Sequence, residues 1–139
     1  MKRSDKVKNI HRFSIRERLK SFKAAGNGIQ SLLKYEHNSR VHLLILILVI
    51  AAGFILKIGR TEWLAICAVA GLVFISECMN SAVEYLADRI TTDEDDHIRK
   101  AKDVAAAGVL IAAATSVITG LIIFVPKIIL LIGEMCSNH

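Results

Sequence analysis

The sequence predicts an all-α membrane protein: three transmembrane helices preceded by an amphipathic helix on the membrane surface. Three observations carry that reading. The apolar residues, 53% of 139, gather into three blocks at Val41 to Ile58, Trp63 to Leu86 and Val104 to Val125. The last block has 22 residues without a charge, enough to cross a hydrocarbon core of about 30 Å. Basic residues are distributed unevenly around the blocks, as they are in proteins inserted with a fixed orientation.

Residues 1–13 form a basic N-terminal extension. From Ser14 the pattern becomes helical, with Ile15, Leu19, Phe22, Ala25, Ile29 and Leu32 on one face and most charges on others. Ser14-Ile15-Arg16-Glu17 fits a capping box, which starts this helix and bounds it at residues 14–35. A basic amphipathic helix just before a span belongs on the inner leaflet, held by apolar burial and anionic lipid. Gly26 and Gly28 weaken its middle and give it a place to bend. The first span is assigned to 41–58, the second to 63–86 and the third to 104–125. Residues 14–127 make one membrane domain, and 128–139 a short C-terminal tail.

Orientation follows from charge. Residues 1–42 hold 11 of the 18 basic residues and three acids, and the loop from Ala87 to Asp103 adds four more basic residues. The loop between the first two spans has Lys57 and Arg60, and the tail has Lys127. The positive-inside rule puts the N-terminus and the loop after the second span in the cytoplasm and the C-terminus outside. About 40 polar residues before the first apolar block argue against a secretory signal peptide. Cys67, Cys78 and Cys136 are odd in number and lack ligand spacing, so neither a disulfide framework nor a zinc site is implied. No recognition motif or second basic element accompanies the basic run, which argues against nucleic acid as a partner. The acidic run from Asp93 to Asp96, with His97, reads as a solvated turn rather than a calcium loop.

The chemistry lies in the second span. Glu77, Asn80, Ser81, Glu84 and Asp88 share one helix face, within roughly 100° of arc. Carboxylates inside a membrane-length segment are costly to keep and mark a functional site by default. Glu77 is deepest, Glu84 lies about 10 Å further along, and Asp88 meets the water boundary. Lys102 and Asp103 open the third span, and Glu36, Arg40 and His42 precede or begin the first, all at that same membrane level. Such a set suits phosphoryl transfer, which asks for positioning, a metal ion and charge stabilisation. Two carboxylates with phosphate oxygens hold Mg²⁺, and Glu77 can take a proton from a hydroxyl. The chain has neither a GxxxxGK[ST] loop nor a GxGxxG, so it does not hold nucleotide by either standard device.

Two other classes share these features. A small oligomeric transporter could use Glu77 as a proton-coupled site, although Glu36, Lys102 and Asp103 gather at one surface rather than at the midplane. A structural subunit could use the stripe only to pack helices.

The run Glu77-Cys78-Met79-Asn80-Ser81-Ala82-Val83-Glu84-Tyr85-Leu86-Ala87-Asp88 resembles the E-x-x-N-[ST]-A-[IV]-E-x-x-x-D pattern of the prokaryotic diacylglycerol kinase family, which includes the undecaprenol kinases. Ala101-Lys102-Asp103-Val104-Ala105-Ala106 is similar to its A-K-D motif. Lys23-Ala24-Ala25-Gly26 and Glu36-His37-Asn38-Ser39-Arg40 resemble its surface-helix segment and the start of its first span. The resemblance runs from about Ser21 to Lys127. It implies a homotrimer with sites between subunits, ATP with Mg²⁺ as donor, and a membrane lipid alcohol as acceptor. It implies Glu77 as general base, Glu36 and Glu84 as metal ligands, and Asn80, Asp88, Lys102 and Asp103 as nucleotide and phosphate contacts. Asn38-x-Arg40-x-His42 and the Ala101 to Ala106 run are more similar to the undecaprenol kinases, which favours undecaprenol over diacylglycerol. The acidic loop and the N-terminal extension have no clear counterpart.

Overall fold

The structure, a computed structural model, describes residues 14–90 and 95–137. The basic extension, Asp93 and Glu94 of the acidic run, and the last two residues of the tail lie outside the described residues. Four helices follow in order: α1 (Ile15–Tyr35), α2 (His37–Ile55), α3 (Arg60–Ile90) and α4 (Asp96–Ser137). The last three are each long and apolar enough to cross a membrane. The chain is an all-α, multi-pass membrane protein.

Ser14 takes the N-cap position of α1 in extended geometry, but its side chain makes no capping bond. The predicted capping box is therefore only half realised: the boundary is there and the reciprocal bonds are not. Glu17 instead offers its carbonyl to Ser21 Oγ at 3.1 Å. The helix runs unbroken through Gly26 and Gly28. Ile15, Leu19, Phe22 and Ile29 stay exposed along one side, a row suited to hydrocarbon, while Leu32 is buried against the remaining helices.

The chain leaves α1 at Glu36, whose extended backbone (φ −93°, ψ 116°) breaks the helix for one residue before α2 begins. That break places a carboxylate between two helices. At its far end α2 closes with Lys57 in the left-handed region (φ 49°), and Ile58 N–H returns to the Gly53 carbonyl at 3.0 Å. This is a Schellman closure, with the C-terminal apolar residue folded back on the helix. The sequence pattern carried the first span to residue 58; the left-handed turn stops the helix at Ile55 and leaves Ile58 to pack as core.

Gly53 is required there. A Cβ on it would lie 2.8 Å from the Trp63 ring and 3.0 Å from Ile58 Cδ1. Phe54 and Trp63 stack with centroids 5.0 Å apart and planes tilted by 50°. Ile58, Ile66 and Ile123 form a compact core at this end, flanked by Val49, Trp63 and Phe124. Glu62 Oε2 accepts the Gly59 backbone N–H and lies 3.1 Å from Lys127 Nζ, tying α3 to α4.

Asp95 caps α4, its Oδ1 accepting the backbone N–H groups of His97 (2.8 Å) and Ile98 (3.0 Å). The acidic run thus supplies a helix cap, a feature typically worth about 1 kcal/mol. Arg99 pairs with Asp96 at 2.8 Å on the exposed side. At the other end α4 continues to Ser137, past the point where the sequence pattern placed a tail. Pro126 removes one backbone donor, and the apolar residues from Ile128 to Ile132 carry the helix on.

Most large apolar side chains on α2 and α4 face outward, including Leu44, Ile47, Leu110, Ile118 and Ile122. Hydrocarbon is their natural solvent. The buried face belongs chiefly to α3, against which α4 packs along much of its length.

Candidate active site

Along α3 the buried residues are Ile66, Val73, Glu77, Ser81 and Ala87, a stripe that changes from apolar to polar halfway. Glu77 is 3% exposed. An unpaired carboxylate at such a position would cost several kcal/mol. Helix α2 supplies the compensation from two residues one turn apart. Ser39 Oγ, completely buried, donates to Glu77 Oε2 at 3.3 Å, and His42 Nε2 lies 3.2 Å from Glu77 Oε1.

Toward the end of α3, Asn80 Nδ2 donates to Glu84 Oε1 at 2.9 Å, across one helical turn. The next residue, Tyr85, donates its hydroxyl to Glu36 Oε1 at 2.9 Å. The carboxylate at the α1–α2 break is thereby held beside the carboxylate-bearing end of α3. Each of Glu36 and Glu84 keeps one oxygen without a hydrogen bond among the described residues. Asp88 Oδ1 meets Lys102 Nζ at 3.2 Å, joining the end of α3 to the start of α4. Asp103, the following residue, is exposed and pairs with no described side chain.

The sequence-predicted residues therefore sort into three groups. Glu77 is buried and clamped by α2. Asn80, Glu84 and Glu36 surround the end of α3, linked through Tyr85. Asp88 and Lys102 neutralise each other, and Asp103 stands apart. Ser39 and Tyr85 were not among the sequence-predicted residues, and His42 was placed at the site's level without a role. Ser39 gave no signal, because a serine in the first turn of a helix is commonplace.

Three polar atoms are buried without any hydrogen-bond partner among the described residues: Glu77 Oε1, which has only the His42 ring nitrogen 3.2 Å away, Asn80 Oδ1 and Ser81 Oγ. Leaving such a group unmatched costs about 1–3 kcal/mol, so native proteins keep it where a ligand or another chain completes the bond. All three lie on the helix face that also carries Glu84.

Among the described residues no three His, Cys, Asp or Glu side chains gather into a cage for a metal ion. Mg²⁺ does not ask for one. It is commonly held by one or two carboxylates together with substrate phosphates, and the open oxygens of Glu36 and Glu84 fit that donor set.

Between α2, α3 and α4 runs a cavity of about 340 Å³, lined by apolar side chains such as Val49, Val73, Phe74 and Phe124. His42 lines it too, so the apolar space leads directly to the imidazole that touches Glu77.

Three membrane-length helices, an apolar cavity and a clamped carboxylate define a small multi-pass membrane protein built around a polar site at one end of its helices. Comparison with known proteins gives that class its chemistry. Residues 23–124 match the model of the family described as prokaryotic diacylglycerol kinase. The chain is 36% identical over 118 residues to an undecaprenol kinase of Bacillus subtilis, covering 85% of this chain and 96% of that one. It is 31% identical over 113 residues to a diacylglycerol kinase of Synechocystis, covering 80% of this chain and 64% of the other. With a diacylglycerol kinase of Pseudomonas aeruginosa it shares 28% identity over 92 residues, 66% of this chain and 75% of that one. The chain belongs to the prokaryotic diacylglycerol kinase family and is a lipid kinase. Family membership leaves the transporter and pure packing readings without support.

Proposed function

We propose that the protein transfers the γ-phosphoryl group of ATP to the hydroxyl of a membrane lipid alcohol, with undecaprenol favoured over diacylglycerol, at the cytoplasmic surface of the bacterial plasma membrane. The observation that carries the reading is Glu77: a buried carboxylate that accepts from Ser39 and lies 3.2 Å from His42, a residue that lines an apolar cavity, in a chain of this family. The preference for undecaprenol draws on the Bacillus relative, which matches over almost its whole length.

Glu77 is the general base that takes the proton of the lipid hydroxyl. The hydrocarbon tail is accommodated by the apolar space below His42. Glu36 and Glu84 present their open oxygens to Mg²⁺, which supplies neutralisation of phosphate charge. Asn80 offers its buried carbonyl oxygen and Asp103 its exposed carboxylate to the nucleotide and its partners. Lys102 turns from Asp88 to phosphate oxygen when ATP binds, with Asp88 keeping the ammonium within reach. The protein acts as a homotrimer with sites between subunits, its N-terminus cytoplasmic and its C-terminus outside. The unmatched Ser81 Oγ accords with a site completed by a second copy.

The test is transfer from labelled MgATP by purified protein in mixed micelles, with undecaprenol and diacylglycerol supplied separately. Undecaprenol is expected to be phosphorylated faster, and Glu77→Gln to abolish the transfer. Equal rates on both lipids would remove the stated preference. No transfer to either, from folded protein, would overturn the assignment of these acceptors.

A further inference from the structure

Glu77 presents a difficulty that its proposed task makes acute. A base that removes a proton in each turnover must also lose it in each turnover. At 3% exposure Glu77 has almost no water of its own. Its Oε2 is occupied by Ser39 Oγ, a completely buried hydroxyl that leads nowhere. Its Oε1 faces His42 Nε2 at 3.2 Å, and the His42 side chain is 22% exposed. Among the described residues no other ionisable group stands within ion-pair distance of either member. Among the described residues the imidazole is the one titratable group that lies against both the buried carboxylate and the accessible surface.

We infer that His42 is a positioning residue for Glu77 and the route by which Glu77 returns its proton to water. The inference rests on the reading of Glu77 as general base. In the transfer step the lipid hydroxyl oxygen forms a bond to the γ-phosphorus, and its proton passes to the Glu77 carboxylate. The bond from the γ-phosphorus to the bridging oxygen of ATP breaks, and ADP leaves with that electron pair. Glu77 then hands its proton from Oε1 to the lone pair on Nε2 of neutral His42, whose own proton is on Nδ1. The imidazolium releases one proton to water, and exchange with water returns the ring to the Nδ1–H tautomer before the next turnover. Between turnovers Ser39 donates to Oε2 and the His42 ring lies against Oε1, so the carboxylate is kept beside the residue that lines the apolar cavity. Histidine suits both duties because it gains and loses a proton near neutral pH and has two distinct ring nitrogens.

Four proteins test this: wild type, Glu77→Gln, His42→Gln and His42→Ala, each checked for folding by its detergent size-exclusion profile. His42→Gln keeps a hydrogen-bond donor near Glu77 but cannot relay a proton. It is expected to lower kcat by roughly 10² while the KM values for MgATP and lipid stay within about two-fold. Added imidazole is expected to restore part of the rate of His42→Ala and none of the rate of Glu77→Gln. A wild-type kcat in His42→Gln overturns the inference, as does a loss confined to the lipid KM or a His42→Ala protein that imidazole leaves unchanged. If His42→Ala does not fold, the kcat of His42→Gln decides alone. An active Glu77→Gln would bring down the general-base reading itself, whereas inactive Glu77→Gln beside fully active His42→Gln would overturn only the relay.

Discussion

The two ends of the membrane-spanning helices treat polar groups in opposite ways. At the Trp63 end, the Gly59 backbone N–H and Lys127 converge on Glu62, and Gly53 lets the Trp63 ring lie against the helix backbone. Polar groups there are paired and the apolar ones close-packed. At the Glu77 end, Glu77 Oε1, Asn80 Oδ1 and Ser81 Oγ are buried without hydrogen-bond partners among the described residues, and Glu36 and Glu84 each leave an oxygen open there. One end is finished by its own residues. The other is left incomplete, which is the expected condition of a surface whose remaining bonds are made by substrate, metal or a second subunit.

That contrast is open to direct challenge. The largest effect is expected at the incomplete end. Glu84→Gln preserves size and the Asn80 bond but removes a negative charge, so phosphate transfer should fall by roughly 10² or more while the thermal midpoint stays near that of the wild type. Activity retained at a tenth of wild type or better would show that Glu84 is packing rather than machinery.

Gly53→Leu attacks the completed end. The new side chain collides with Trp63 and Ile58, and such overpacking typically costs about 1–3 kcal/mol. The thermal midpoint in detergent should drop, whereas the kcat of the protein that remains folded should not. A lowered kcat with an unchanged midpoint would mean that the two ends are coupled.

The smallest effect is expected from Lys127→Met, which breaks the pair with Glu62 but keeps the apolar stem of the side chain. Both midpoint and transfer rate should lie close to wild type. A substantial loss of either would give this surface pair a role that its exposure does not suggest.

The spans were legible because length and hydropathy are local quantities. A run such as Val104 to Val125 must become a helix in lipid, since its backbone groups find no other partners there. The stripe on α3 was legible for a similar reason: helical periodicity alone puts Glu77, Asn80, Ser81, Glu84 and Asp88 on one face. Helix ends were harder to read. The first span stops at Ile55 because Lys57 turns left-handed, and nothing in Ile55-Leu56-Lys57-Ile58 announces that turn. Ser14 marked the start of α1 while its predicted capping bonds did not form.

By itself the sequence determined an all-helical membrane protein, three spans with a surface helix before them, and an acidic stripe resembling a lipid kinase site. Tertiary structure decided how the stripe is divided. Docking of α2 against α3 brings Ser39 and His42 onto Glu77, and the one-residue break at Glu36 lets Tyr85 reach across 49 positions of sequence. Docking likewise turns Lys102 toward Asp88 and leaves Asp103 apart. Periodicity fixes which way a side chain faces on its own helix. Only the packing of one helix on another determines what it meets there.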